Sequence, residues 1–514
     1  MRLSVPPDLH AATRVRPVDA AWAFALRAGL AVAVPLVVLT ATGHPSLAGV
    51  ATFGAFTALY GRDEPYRRRA LIVAAAAMGL VASVAAGTLA ALAPQSEIVG
   101  VAAVALVGAT ATVLCNRYRV GPPGGLMFAF ATAVTSALPA TAPADLLRNA
   151  ALTAGAAAVS WLIVMSGFLV APGAPRRLAI ARALRAAAAL ADAPDGPAGL
   201  TARQQAALAV ERAWRAAAGR ADEEVLVAHA ETELSGVHGH DPAAAAELRE
   251  LAARLTPRGP VPRLAATATE NRKIAERRRA ATLLRDLPAR RGGPLWPAAA
   301  RVALGALVAG AAAGLLVHYT GLGHPYWAAV SAVAVLQGAS LRLSRHRAIQ
   351  RAGGTTIGLL IAGAAVAVPG GPWVLVVEIL IAQVIAELLV VRNYGLAMLA
   401  VTPLALLVGE LGHETPPLDL IGDRLIQTVL GCLLGLAAAA LIRNRAATRH
   451  LGEAITAVEQ ATHDRQDARH LAALVATMRE AYEVAAGEPA LNPATTDRVL
   501  HAEREARRAL TSAD

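Results

Sequence analysis

The chain is poor in the residues that staple, stack or carry phosphate. Its two cysteines, Cys115 and Cys432, offer no disulfide framework. Aromatic residues make up only 4%, and Lys273 is the single lysine. No zinc finger, basic zipper or aromatic-studded basic groove is present, so the net charge of +11 does not point to nucleic acid. The phosphate-binding pattern G-x-x-x-x-G-K-[ST] is missing, so the chain itself is not expected to bind ATP. No metal cluster, dinucleotide fingerprint or catalytic triad stands out, which argues against an enzyme and against a cofactor. No signal peptide with a small-residue cleavage site precedes the first apolar segment, which is too long for such a peptide and is expected to stay as a helix.

What the chain has is apolar sequence in long runs. The apolar fraction is 55% of 514 residues and the mean hydropathy is +0.47. A bilayer core needs about 20 helical residues to cross it. Twelve candidate spans follow: 20–42, 46–61, 70–92, 97–115, 122–140, 147–171, 296–319, 325–341, 350–369, 373–391, 394–410 and 420–442. The runs are continuously apolar rather than alternating, which excludes a β-barrel. The expected fold class is an all-α polytopic membrane protein. Its Ala, Gly, Leu and Val surfaces allow helices to approach closely.

The arginines set an orientation. Arg14 and Arg16 precede the first span. Arg62, Arg67, Arg68 and Arg69, then Arg117 and Arg119, then Arg176 and Arg177 fall on the same side. Arg342, Arg345, Arg347 and Arg351, then Arg392, then Arg443 and Arg445 repeat the pattern later. The loops of the other side are short and poor in cations, with Arg148 the main exception. The bias toward Arg in cytoplasmic loops predicts both termini inside and an even number of spans.

The membrane sequence divides into two similar halves. Arg27 and Arg301 occupy the same place in their opening spans. Gly43-His44-Pro45 matches Gly323-His324-Pro325, and Asn116-Arg117-Tyr118 matches Arg392-Asn393-Tyr394. Six spans per half predict two parallel repeats, over 1–171 and 295–442, with a path or a plain scaffold at their interface. Ala-, Arg- and Glu-rich helices over 176–193, 201–236, 243–256 and 263–287 form a cytoplasmic domain over 172–294. The tail over 443–514 is expected to add two helices, split near Gly487-Glu488-Pro489.

Ionisable groups inside a span are costly and usually face a cavity or a partner. The path candidates are therefore Arg27, Arg301, Arg351, Glu378, Gln383, Glu387, Asp423, Arg424, Gln427 and Thr428. Glu378 and Glu387 are nine residues apart, so they fall on opposite sides of a straight helix; either could respond to protons or pair with Arg301 or Arg424. Arg342, Arg345, Arg347 and Arg392 would draw anions to the inner mouth, or contact anionic lipid. His44 and His324 stand at the outer edge as pH-sensitive groups or as turn residues. Tyr326 and Trp327 stand beside them as interfacial anchors. Gly354 with Gly358, and Gly431 with Gly435, form GxxxG faces that serve packing within the chain and permit a homodimer.

One region carries a family resemblance. Tyr326-Trp327-Ala328, Val335-Leu336-Gln337, Arg351 with Gly354-Thr355 and Gly358, Arg392-Asn393-Tyr394-Gly395-Leu396-Ala397, Val401-Thr402-Pro403-Leu404-Ala405-Leu406, and Arg424, Thr428, Gly431 and Gly435 follow one another in order over 323–442. That order resembles the fusaric acid resistance family, also called the aromatic acid exporters. The resemblance implies a bacterial inner-membrane secondary transporter that exports aromatic or other organic carboxylic acids, with lipid and small organic anions as its partners. Gln427 departs from the family, which has an acidic residue before the threonine of the last span. The family is also similar in plan to plant malate channels, so a passive anion channel is a second expectation. A non-transporting envelope scaffold with a cytosolic partner-binding module is a third.

Overall fold

The computed structural model describes residues 21–512 apart from 119, 195–196, 236–240, 287–295, 338–339, 412–416, 443–444, 465–467, 487 and 489–491. Among the described residues it is all α, with one 3-10 turn at Phe56–Leu59. The first membrane group is α1 (Ala21–Ala41), α2 (Pro45–Ala55), α3 (Tyr66–Ala91), α4 (Ser96–Arg117), α5 (Leu126–Ala137) and α6 (Pro143–Val170). A more polar unit follows: α7 (Ala174–Ala191), α8 (Pro197–Ala217), α9 (Ala221–Ser235), α10 (Pro242–Arg254) and α11 (Ala268–Asp286). The second membrane group is α12 (Trp296–Thr320), α13 (Tyr326–Leu336), α14 (Leu341–Val366), α15 (Gly371–Val390), α16 (Tyr394–Glu410) and α17 (Pro417–Leu441). The tail is α18 (Arg445–His463), α19 (Ala468–Ala485) and α20 (Pro493–Ser512).

Each of the twelve apolar stretches is helical, but their lengths differ. Seven described helices are long and apolar enough to cross a membrane: α1, α3, α4, α6, α12, α15 and α17. The helix α14 has 26 residues, yet its first turns carry Arg342, Arg345 and Arg347. Four apolar helices are shorter: α2 with its 3-10 extension, α5, α13 and α16. An 11-residue helix such as α13 is only about 16 Å long, well short of a bilayer core of about 30 Å. The short helices are buried in protein. Every residue of α13 from Trp327 to Leu336 is buried, whereas 28–44% of the best apolar window is buried in the seven long ones. Exposed Leu26, Leu71, Met78, Leu162, Leu315, Leu360 and Leu433 give the long helices apolar outer faces.

The packing partners recur between the two groups. In the first, α3 packs on α5 and α6, α2 on α6, and α4 on α5. In the second, α14 packs on α16 and α17, α13 on α17, and α15 on α16. The cross-contacts correspond as well: α1 packs on α15 and α12 on α4, while α2 meets α16 and α13 meets α5. Several interior hydroxyls are satisfied within their own helices. Thr52, Thr88, Thr112, Thr135, Thr153 and Ser160 each donate to a carbonyl one turn back. Small faces let backbones meet. A methyl on Gly358 would lie 2.7 Å from the Met398 carbonyl and 2.8 Å from Thr402 Cβ.

The polar helices differ in number from the sequence reading. The expected helix over 201–236 is two helices, α8 and α9, broken where Gly219 takes φ +84. Ile180, Leu184, Val210, Leu226 and Leu248 form the core of this unit. The helix α11 opens on a reciprocal cap. Thr267 N–H donates to Glu270 at 2.8 Å, and Glu270 N–H donates to the Thr267 hydroxyl at 3.2 Å. The tail has three helices rather than two. The break between α18 and α19 falls in a polar run with neither Pro nor Gly to announce it, and Leu451, Ile455, Val458 and Met478 fill the core they enclose.

One buried ion pair ties the tail to the membrane helices. Arg301 of α12 donates to both carboxylate oxygens of Glu488, at 2.9 and 3.0 Å, and to the Ile442 carbonyl at 2.7 Å. Both side chains are buried. Removing one member of such a pair leaves an uncompensated charge, at a cost of about 3–5 kcal/mol. Glu488→Met is therefore expected to lower the thermal transition of purified protein and speed proteolysis of the tail. Arg301→Met combined with Glu488→Met should recover most of the loss, which a double-mutant cycle of melting curves would measure.

Glu270 adds a pH dependence outside the membrane helices. Burial alone would raise its pKa, but the Thr267 N–H and His229 at 2.8 Å outweigh burial and hold it below the usual carboxylate value. A depressed carboxylate stabilises the fold above its unfolded pKa of about 4.3, and the contribution disappears as pH falls through the lower folded value. Glu270→Gln is expected to flatten the acid limb of the stability profile below about pH 4.5 and to cost about 1–2 kcal/mol at neutral pH. Urea unfolding at a series of pH values tests both effects.

Candidate functional site

Between the two membrane groups lies a cavity of ≈ 1740 Å³. It runs from the polar unit, where Arg182, Arg212 and Arg215 line it, to Gly49 and Val408 near the far ends of α2 and α16. Arg62, Arg67 and Arg68 line the end nearest the polar unit, and Arg182 bridges to Asp63 there at 2.6 Å. The polar unit and the arginine-rich turn after α2 thus share one face of the molecule.

The inner walls differ in chemistry. The first membrane group contributes Phe53, Phe56, Phe130, Val134 and Leu138. The second contributes Tyr326, Trp327, Arg347, Arg351, Tyr394 and Arg424. An aromatic chain joins the two walls. Phe53 meets Phe130 edge to face at 5.4 Å between centroids, Phe130 meets Trp327 at 5.4 Å, and Trp327 meets Tyr326 at 4.9 Å.

Arg424 and Arg351 sit in this wall with no carboxylate partner among the described residues. Arg424 is 3% exposed and its guanidinium lies over the Trp327 ring. Its Nε and one Nη have no hydrogen-bond partner. Arg351 is 5% exposed and donates to the hydroxyls of Ser331 and Tyr394, each at 3.2 Å, with Met398 Sδ at 3.7 Å. Arg347 lies over the Tyr394 ring, 6.0 Å from its centroid. The acids that line the cavity are Asp63, Glu64 and Glu387. Asp63 and Glu64 bridge to Arg182 and Arg68, and Glu387 accepts from Gln383 at 3.3 Å.

The structure sorts the candidates read from the sequence. Arg27, Arg351, Gln383, Glu387 and Arg424 line the cavity. Gln427 and Thr428 are fully buried beside it, with their side-chain polar atoms unpartnered. Arg301 lies outside it, paired with Glu488 rather than with Glu378 or Glu387. Asp423 also turns away. It accepts from the Gly323 N–H at 2.8 Å and lies 3.4 Å from His324 Nδ1, holding a turn in which His324 has φ +56. Glu378 is half-buried on α15 and outside the lining. Arg342 and Arg345 are exposed and Arg392 is half-buried, and none of them lines the cavity. His44 is exposed.

Tyr326 and Trp327 line the cavity, and Trp327 is 5% exposed, so it is not an interfacial anchor. The four glycines serve contacts within the chain: Gly354 faces Gly395 and Met398, Gly358 faces Met398 and Thr402, and Gly431 and Gly435 face α13. The sequence marks Gln337 only as part of a motif. Its side chain joins the halves, accepting from Gly125 N–H at 3.0 Å and donating to the Thr112 hydroxyl at 3.3 Å. The first-group wall of Phe53 and Phe130 left no signal in the sequence, because apolar residues in a span are ordinary.

Two comparisons bear on this arrangement. Residues 311–438 match the model of a family described as fusaric acid resistance protein-like. The chain is a multi-pass membrane protein similar to that family. It is also 26% identical over 540 residues to the uncharacterized membrane protein YvaC of Bacillus subtilis (strain 168), an alignment that covers 94% of this chain and 84% of that protein. No solved structure matches. The family segment carries Tyr326, Trp327, Arg351, Glu387 and Arg424, whereas the facing Phe53 and Phe130 lie outside it.

The glycine contacts are graded, which makes them testable. A methyl on Gly431 would lie 2.8 Å from Ser331 Cβ and closer still to the Ala328 carbonyl, whereas one on Gly435 meets nothing nearer than 3.1 Å. Overpacking of this kind costs about 1–3 kcal/mol. Gly431→Ala is expected to reduce folded yield and melting temperature clearly more than Gly435→Ala. Equal melting of the two variants would contradict the close approach of α13 and α17.

Proposed function

We propose that the chain is a secondary transporter of the bacterial cell membrane that exports aromatic or other organic carboxylic acids. Its membrane portion is proposed to be two parallel six-helix repeats, with twelve helices, both termini and the polar unit on the cytoplasmic side. The recurring packing partners and the arginine-rich turns support that plan. The observation that carries the function is the cavity wall itself. Buried arginines without carboxylate partners among the described residues face a wall of aromatic and aliphatic side chains. A carboxylate would neutralise the cations while a ring packs against Phe53, Phe130 and Trp327. The arginines at the mouth raise the local anion concentration. Glu387 is the lining carboxylate that proton coupling would use.

Gln427 favours a second reading, a passive organic-anion channel, because an amide there cannot take up a proton. Proteoliposomes holding the purified chain separate the two. Uptake of a radiolabelled aromatic carboxylate driven by an imposed proton gradient, and reduced at least about tenfold in Glu387→Gln, is the result expected of a coupled exporter. Flux indifferent to the gradient would select the channel. No flux of any tested carboxylate by folded protein would remove transport of this class and leave the scaffold.

A further inference from the structure

Arg351 and Arg424 are held by neighbouring turns of the same short helix. Arg424 stacks on Trp327 and Arg351 donates to Ser331, and these two residues of α13 are four apart. Residues so spaced lie about 6 Å from one another on one helix face. The two guanidiniums therefore share one stretch of wall, and both line the cavity. Neither has a carboxylate partner among the described residues, and Arg424 keeps unpartnered N–H groups although it is 3% exposed. The first-group wall facing them offers Phe53, Phe130 and Val134, which carry no charge.

Two buried cations side by side repel one another and lose hydration. One monoanion leaves half of that charge uncompensated. A dianion whose negative groups stand about as far apart as the guanidiniums compensates both, and each guanidinium offers a planar fork of donors to an oxyanion. Resting on the transport reading above, we infer that the cavity prefers an organic dianion with an apolar body, such as an aromatic dicarboxylate, over the corresponding monocarboxylate. Arg424 is the residue that sets this preference. Arg351, which has hydroxyl partners of its own, supplies the charge that a monoanion would also use.

The test is calorimetric titration of purified full-length protein in nanodiscs at about pH 7.5, where both carboxyl groups of the probe are ionised. Phthalate and isophthalate are compared with benzoate, and sulfate serves as a dianion without an apolar body. The expected result is at least about tenfold tighter binding of one of the two dicarboxylates than of benzoate, with sulfate weaker than that dicarboxylate. In Arg424→Gln the dicarboxylate advantage should shrink to within about twofold while benzoate still binds. The wild-type comparison needs no variant to fold. Benzoate binding as tightly as both dicarboxylates overturns this inference and leaves the transport reading standing. Sulfate binding as tightly as the better dicarboxylate overturns the role of the apolar wall. Failure of all four to bind folded protein overturns the transport reading and the inference together.

Discussion

The close approach of α17 to α13 is the contact on which the cavity depends. Gly431 lies against the Ala328 carbonyl and Ser331, and Gly435 lies over Ala332. With side chains absent there, α17 comes near enough for Arg424 to reach the Trp327 ring. The same economy holds between α14 and α16, where Gly354 and Gly358 admit Met398 and Thr402 and bring Arg351 to Tyr394. Arg351 lies three and seven residues before Gly354 and Gly358, and Arg424 lies seven before Gly431, so each arginine shares a helix with the close contact that positions it. In a membrane interior, where apolar burial gives little preference among helices, such shape matching decides which helices meet.

The two membrane groups share a packing scheme and differ in what they present. Opposite Arg351 and Arg424 the first lends Phe53, Phe130 and Val134, and the second lends cations and hydroxyls. A symmetric pair of cationic walls would place more unneutralised charge in a space of low dielectric, where repulsion is strong. Placing Arg351 and Arg424 together in one wall also gives an amphipathic guest a defined orientation. Gln337 bonds Gly125 across the two groups near one end of the cavity, and Tyr60 holds the same turn from within the first group.

Hydropathy revealed the helices because lipid-exposed faces must be apolar, and the arginine clusters carry the proposed orientation. The short helices were harder to bound: the span read as 122–140 is a helix over Leu126–Ala137. The short α2, α5 and α13 are as apolar as the long helices, but their surroundings are protein, so nothing in composition marks their ends. Arg351 and Arg424 were legible because an ionisable residue in a span needs a reason. Arg301 passed the same filter and has a different reason, since its partner Glu488 lies in sequence that reads as soluble. Asp423 was legible as a buried acid but not as the support of a strained turn, because only coordinates show that it faces the Gly323 N–H.

That distant partner has a consequence for biosynthesis. Arg301 is separated by 141 residues from the carbonyl it bonds and by 187 from its carboxylate. A ribosome delivers α12 to the bilayer long before either acceptor has been made. Until translation passes Glu488 the guanidinium must borrow water or lipid headgroups, and the helix stays near the interface where those are available. Closing the ion pair thus falls among the last steps of maturation.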